Sequence, residues 1–250
     1  MTRPHRLFIL LGAFAGMVCI PFARAADSVI QDVQGAAKSV VSIKSDAGGL
    51  YKDRPAAFID KESGRLVILE NIKALQYSRS GGGVIIDPSG IIVTNAHIVT
   101  QAGRILVTLS DGMSLPATVV HTLPDYDLAL LQVQPPAPLP AMEFSHHEPV
   151  EFGTRVYSIG SSDILKNTIS EGTVSAMGIS KETSEAGRTL VNLIEINFNA
   201  YKGDSGSPVL DGEGRLLGIA AAGSQLAQTT YAIPSYFIKK IYFEYLAQKK

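Results

Sequence analysis

Residues Asp127 to Pro140 read DLALLQVQPPAPLP. The first seven, DLALLQV, form a short apolar run with strand composition. The six from Pro135 to Pro140, PPAPLP, hold too many prolines for a strand and read as a stiff extended linker. This stretch divides the chain into two groups of strands. Upstream lie VVSIKS (Val40 to Ser45) and RLVILE (Arg65 to Glu70), with a polar, irregular stretch from Asp46 to Arg79 around the latter. Then come GVIID (Gly83 to Asp87) and IIVTN (Ile91 to Asn95), joined by the turn Pro88-Ser89-Gly90. RILVTL (Arg104 to Leu109) and SLPATVVH (Ser114 to His121) flank the turn Ser110-Asp111-Gly112. Such turn residues mark hairpins.

Downstream the pattern restarts: RVYSIG, TISEGTVSAMG, TLVNLIEIN, SPVLD, RLLGIAAAG and TTYAIP, between Arg155 and Pro234. The last stretch, SYFIKKIYFEYLAQKK, has apolar residues at Phe237, Ile238, Ile241, Tyr242 and Leu246, a helical spacing. Two groups of about six strands and one terminal helix predict an all-β fold of two packed six-stranded antiparallel barrels. The expected bounds are residues 37–134 for the first barrel, 148–234 for the second and 235–248 for the helix.

The chain has 250 residues and a net charge of -1. Its only close pairs of basic residues near the end are Lys239-Lys240 and Lys249-Lys250, which argues against nucleic acid or an anionic membrane surface as partner. Residues 1–25 read as a secretory signal: Arg3 and Arg6, then the apolar run LFILLGAFAGMVCIPF, then Ala23-Arg24-Ala25 as the cleavage site. An uncleaved anchor would need roughly 20 apolar residues, more than this run offers. The expected product, residues 26–250, is therefore periplasmic or secreted, with no stable membrane insertion. Cys19 is the sole cysteine, so that product would have no disulfide and would rest on its core alone.

The stretch KGDSGSPVL (Lys202 to Leu210) places Ser205 in a glycine-framed turn. Amide hydrolysis by a serine needs a base for the hydroxyl proton, an acid to orient that base, and donors for the oxyanion. Beyond the signal the histidines are His97, His121, His146 and His147. His97 lies in TNAHIV at the mouth of a loop after a strand; His121 ends a strand, and the other two lie in a polar connection. Asp127 opens a run that becomes buried, where a carboxylate needs hydrogen-bond partners and a histidine N–H suits it. Asp125 is a rival two residues earlier. No His/Asp/Glu cluster has metal-ligand spacing, and no cofactor is called for.

TNAH, DLALL and GDSG in this order, with GGGVIIDPSG ahead of the histidine and YAIPS near the end, resemble the chymotrypsin-fold serine proteases. Within that group the chain is most similar to the HtrA/Deg exported bacterial proteases, over Val40 to Tyr242. The resemblance implies that Ser205 is the nucleophile, His97 the base and Asp127 the acid. It places the oxyanion hole at the N–H groups of Gly203 and Ser205. It also implies a side-chain pocket walled by Asn199, Ala200, Tyr201 and Lys202 and by Ala221, Ala222 and Gly223. No Asp at the base of that pocket awaits Arg or Lys, and no His replaces Ala220. Small or medium neutral residues are the expected preference, with a protein or peptide as substrate.

The chain departs from the family pattern in four places. HtrA-like proteases usually continue into one or two PDZ domains, whereas this sequence ends after one helix. Asp204 stands where they usually have Asn; in trypsin-like enzymes that Asp pairs with a new amino terminus. Ser207 replaces the second glycine of the usual Gly-Gly, as in glutamyl endopeptidases. The segment before Gly81 is enlarged without a counterpart. Two other readings use the same residues: a catalytically silent binding module and an esterase.

Overall fold

A computed structural model describes residues 20–48, 56–59, 66–69, 76–161, 168–182, 189–198, 201, 203–224 and 227–249. Six strands close the first barrel: β1 (Val40–Gly48), β4 (Gln76–Asp87), β5 (Ile91–Asn95), β6 (Ala102–Thr108), β7 (Ser114–Leu123) and β8 (Leu128–Val133), in the order β1-β4-β5-β8-β7-β6. The second is closed by β9 (Arg155–Ile159), β10 (Ile169–Glu182), β11 (Thr189–Ile196), β12 (Pro208–Leu210), β13 (Leu216–Ser224) and β14 (Thr229–Pro234). Neighbouring strands in both are antiparallel.

The near-continuous apolar content of β8 follows from its position. Successive side chains of a strand point to opposite faces. Ala129, Leu131 and Val133 enter the core of the first barrel with Val41, Ile43, Ile92 and Val107. Leu128 and Leu130 enter a second layer, shared with Leu210, Leu216 and Ile219 of the second barrel. A strand buried on both faces has no room for polar alternation. Each buried Leu, Ile or Val side chain among them contributes about 1.5–3 kcal/mol.

The proline-rich stretch bends at Pro136-Ala137, and it and the residues that follow are stitched to both barrels. Leu139 N–H donates to Pro88 O at 3.0 Å and Met142 N–H to Ile85 O at 2.8 Å, both on the first barrel. Leu216 N–H donates to Glu143 O at 2.8 Å, and Ser145 N–H to Leu216 O at 3.0 Å. The terminal helix α3 (Ser235–Gln248) buries Phe237, Ile238 and Ile241 in the shared layer. Leu246, on the expected apolar face, is instead exposed, while Tyr242 and Tyr245 pack at the edge of the layer.

Three features depart from the sequence expectation. Helix α1 (Ile20–Ala36) runs across the expected cleavage site, and its Val33 is buried in the shared layer. Strands β2 (Ala56–Ile59) and β3 (Leu66–Leu69) pair with each other, so RLVILE belongs to a separate hairpin and not to the barrel. The extra length of β4 reaches back into the stretch read as irregular, pairing Arg79 with Ser45 of β1.

Candidate active site

The turn that follows β5 is a four-residue helix, α2 (Ala96–Val99), too short to stand alone. Asp127 holds it from the neighbouring strand end. Its carbonyl accepts the Ala96 N–H at 2.9 Å and the Asn95 side-chain amide at 3.2 Å. Its carboxylate accepts the His97 backbone N–H on Oδ1 at 2.9 Å and meets the ring Nδ1 with Oδ2 at 2.7 Å. A carboxylate partner places the imidazole hydrogen on Nδ1, which leaves Nε2 as the acceptor. At the other end of α2, the Arg79 guanidinium donates to the carbonyls of His97 at 2.7 Å and Thr100 at 3.1 Å. A cation on the last carbonyls of a helix is a stabilising cap.

Asp127 is buried, at 7% exposure, and these bonds offset the cost of that burial. Its backbone is left-handed, φ 53° and ψ 40°, at the end of the 3-10 turn Pro124–Tyr126. Asp125 lies within that turn and is exposed, so of the two candidate acids it is Asp127 that joins His97. His121 faces Glu244 of α3 at 3.6 Å. His146 and His147 are exposed in the connection to the second barrel.

Ser205 belongs to the second barrel but docks on the first. Its carbonyl accepts the Gly82 N–H at 2.7 Å. Gly82 O in turn accepts the Thr94 hydroxyl at 2.7 Å. A Cβ at Gly206 would collide with Gly82 O, and one at Gly81 would overlap Ile98, the residue after His97, and lie 2.8 Å from Ser205 O. Gly81 and Gly82 therefore let the two backbones touch, with Gly81 between Ser205 O and Ile98 of α2, whereas a Cβ at Gly83 would meet Ile43, Ile92 and Val41 of the first barrel. Ser207, the departure from Gly-Gly, shares a 2.7 Å hydrogen bond with Ser161 and so has a partner of its own.

Within the serine loop, Asp204 N–H donates to Tyr201 O at 3.0 Å, Ser207 N–H to Asp204 O at 2.9 Å and Gly206 N–H to Ala220 O at 2.7 Å. Gly203 and Gly206 have φ of 99° and 83°, a region that favours glycine. The Asp204 carboxylate folds back to accept the Tyr201 N–H at 2.8 Å. Burial raises its carboxyl above the ordinary value, against the pull of that hydrogen bond.

Of the residues expected to wall a side-chain pocket, Ala221 is buried, Ala222 half-buried and Gly223 exposed, all on β13; Tyr201 is exposed. Asn199, Ala200 and Lys202 lie outside the described residues. Among the described residues no group of three or more His, Cys, Asp or Glu side chains is placed to hold a metal ion.

Two barrels joined at a glycine contact, with a His–Asp pair on one and a GDSG loop on the other, match what a comparison with known families finds. The model of the trypsin-like peptidase domain matches residues 81–219. The chain belongs to the trypsin-like peptidase family. It is 35% identical over 167 residues to the periplasmic serine endoprotease DegP of Salmonella typhimurium, covering 64% of this chain and 34% of that one. It is 32% identical over 174 residues to mouse serine protease HTRA4, covering 67% and 34%. This peptidase domain thus spans about a third of the length of these curated relatives. Among solved structures it is similar to a variant of the HtrA-type protease AlgW with tripeptide, at a TM-score of 0.65 and 25% identity, over 85% of this chain and 62% of that one.

Sequence reasoning missed the supports of the peptidase site: Arg79 capping α2, Asn95 and Thr94 bonding across strands, and Gly82 receiving Ser205. Arg79 carried no local signal, because its partners are carbonyls brought near only by strand pairing.

Proposed function

We propose that this chain is an exported serine endopeptidase with His97, Asp127 and Ser205 as its catalytic triad. The 2.7 Å contact between His97 Nδ1 and Asp127 Oδ2 carries the proposal, because it fixes the tautomer a base requires. Nε2 takes the hydroxyl proton of Ser205 as Oγ attacks the scissile carbonyl carbon. The oxygen gains negative charge, which the N–H groups of Gly203 and Ser205 stabilise. Among the described residues the backbone hydrogen bonds of this loop are donated by the N–H groups of Asp204, Gly206 and Ser207. His97 then returns the proton to the leaving amine, the C–N bond breaks, and an acyl-enzyme remains. Water, deprotonated by the same imidazole, releases the acid and restores Ser205.

Cleavage after Ala25 and export to the periplasm or medium complete the reading. The apolar run before Ala23-Arg24-Ala25 supports it, and the related DegP is named as periplasmic. Residues 26–250 then form the peptidase domain. No helix among the described residues is long and apolar enough to cross a membrane. The substrate class is protein or peptide, with small or medium neutral residues before the scissile bond.

Peptide turnover by Asp127→Asn and Asp125→Asn variants tests the assignment. Asp127→Asn leaves the wrong imidazole tautomer and is expected to lower kcat about 10⁴-fold. Asp125→Asn should keep nearly full turnover. The reverse result would remove Asp127 from the triad.

A further inference from the structure

Tyr126 sits immediately before Asp127 and is the best-buried residue of the turn Pro124–Tyr126; Pro124 and Asp125 are exposed. Its ring stacks on Phe237 of α3, with centroids 4.2 Å apart and planes 29° apart. The Lys240 ammonium, one helical turn further along α3, lies 5.6 Å from the centre of the same ring. Phe237 is itself buried in the layer shared by the two barrels. The turn that presents Asp127 is thus fastened through one side chain to a helix at the far end of the chain.

That fastening matters because Asp127 has a left-handed backbone. Asp is among the few non-glycine residues that adopt that region, so what the surroundings must hold is less the backbone itself than the direction in which it aims the carboxylate. Its N–H donates to Pro124 O at 3.0 Å, a bond internal to the turn that moves with it. The bonds from Asp127 to Asn95, Ala96 and His97 are the geometry to be held in place. The Leu123–Leu128 pairing closes the base of the turn, and the Tyr126 stack adds a second anchor that ties the turn to α3.

We infer that Tyr126, clamped by Phe237, is a positioning residue that sets the Asp127 carboxylate against the His97 ring. Tyr126 serves catalysis in this way only if Asp127 is the acid of the triad, as proposed above. Loss of the ring lets the turn relax while both barrel cores stay intact, since Tyr126 packs only at their edge.

The test compares wild type with Tyr126→Ala, Tyr126→Phe and Phe237→Leu, measuring kcat and KM on a peptide substrate together with the low-field proton resonance of His97 Nδ1. Tyr126→Ala is expected to lose or broaden that resonance and to lower kcat about 10²-fold with KM little changed, the scale of a misplacement near 1 Å. Tyr126→Phe keeps the stacked ring and should restore both readouts. Phe237→Leu, which unstacks the turn from the other side, should reproduce the Tyr126→Ala losses, and it decides the matter if Tyr126→Ala fails to fold. A folded Tyr126→Ala or Phe237→Leu protein with wild-type kcat and an unchanged resonance, whatever its melting temperature, overturns the inference. If wild type cleaves nothing but its resonance vanishes in Tyr126→Ala, the positioning role stands and the peptidase reading falls.

Discussion

The Asp204 carboxylate accepts the backbone N–H of Tyr201 at 2.8 Å, so the residue before Ser205 ties its own loop closed without a new amino terminus. Among the described residues the other oxygen, Oδ1, is buried with no hydrogen-bond partner. Burial holds the Asp204 carboxyl above its ordinary value of 3.8, the Tyr201 bond pulling the other way. A raised value means that folding favours the neutral acid over the ionised one more than the unfolded chain does. Its stabilisation is full below the ordinary value and is lost as pH rises through the folded one.

Asp204→Asn keeps an acceptor for Tyr201 and removes the buried charge. The expected outcome is a melting temperature on the order of 2–4 °C higher at pH 8, with the gain shrinking toward pH 4. Thermal melts of the two proteins across that range check it. An equal or lower melting temperature at pH 8 would show that the charge is compensated.

The Tyr242 hydroxyl donates to Asp87 Oδ2 at 2.6 Å and ties α3 to the first hairpin. Burial, then the hydrogen bond to Asp87 and its charge, push the Tyr242 phenol up to about 12. Burial also pushes Asp87 up, but hydrogen bonds from Ser89 and Tyr242 and the charge of Lys249 outweigh it and leave the carboxyl below its ordinary value. The depressed Asp87 gives stability that is lost as pH falls through its folded value. The raised Tyr242 gives stability that is lost between pH 10, its ordinary value, and about 12. Tyr242→Phe should therefore cost most between the two limits, about 1 kcal/mol after allowance for solvent exposure. Denaturant midpoints at acid, neutral and alkaline pH measure it; a difference independent of pH would disprove the linkage.

Gly206→Ala tests the contact between barrels. The new Cβ meets the Gly82 carbonyl, and φ of 83° adds roughly 1–2 kcal/mol of backbone strain. Peptide turnover should fall by orders of magnitude while circular dichroism still reports two β-barrels. Retained turnover would mean that Ser205 does not depend on this docking.

The proposed side-chain preference takes Ala221 and Ala222 of β13 as the uncharged walls of the pocket. Cleavage of a peptide library is expected after Val, Ala, Ile, Leu or Thr, with discrimination of about 1–3 kcal/mol per methylene. Dominant cleavage after Arg, Lys or Glu would refute the pocket while leaving the triad untouched.

Much of this architecture was legible in the sequence because its signals are local. Turns such as Pro88-Ser89-Gly90 announced hairpins, and PPAPLP separated the two barrels. His97, Asp127 and Ser205 stood out through the residues beside them. What escaped depends on partners distant in sequence. Helix α1 overlaps the expected signal only over residues 20–25 and its remainder drew no helical assignment, and the dual burial of β8 needed both barrels to be present. The stack of Tyr126 on Phe237 joins residues more than a hundred positions apart, for which neither neighbourhood offers a hint.

The most direct measurement is labelling of residues 26–250 by a fluorophosphonate probe, with the adduct mapped by mass spectrometry and Ser205→Ala as the control. The account predicts one adduct, on Ser205, that is absent from Ser205→Ala and strongly slowed in His97→Ala. A folded protein that takes no label, or carries it on another residue, would contradict the assignment of Ser205 as an activated nucleophile.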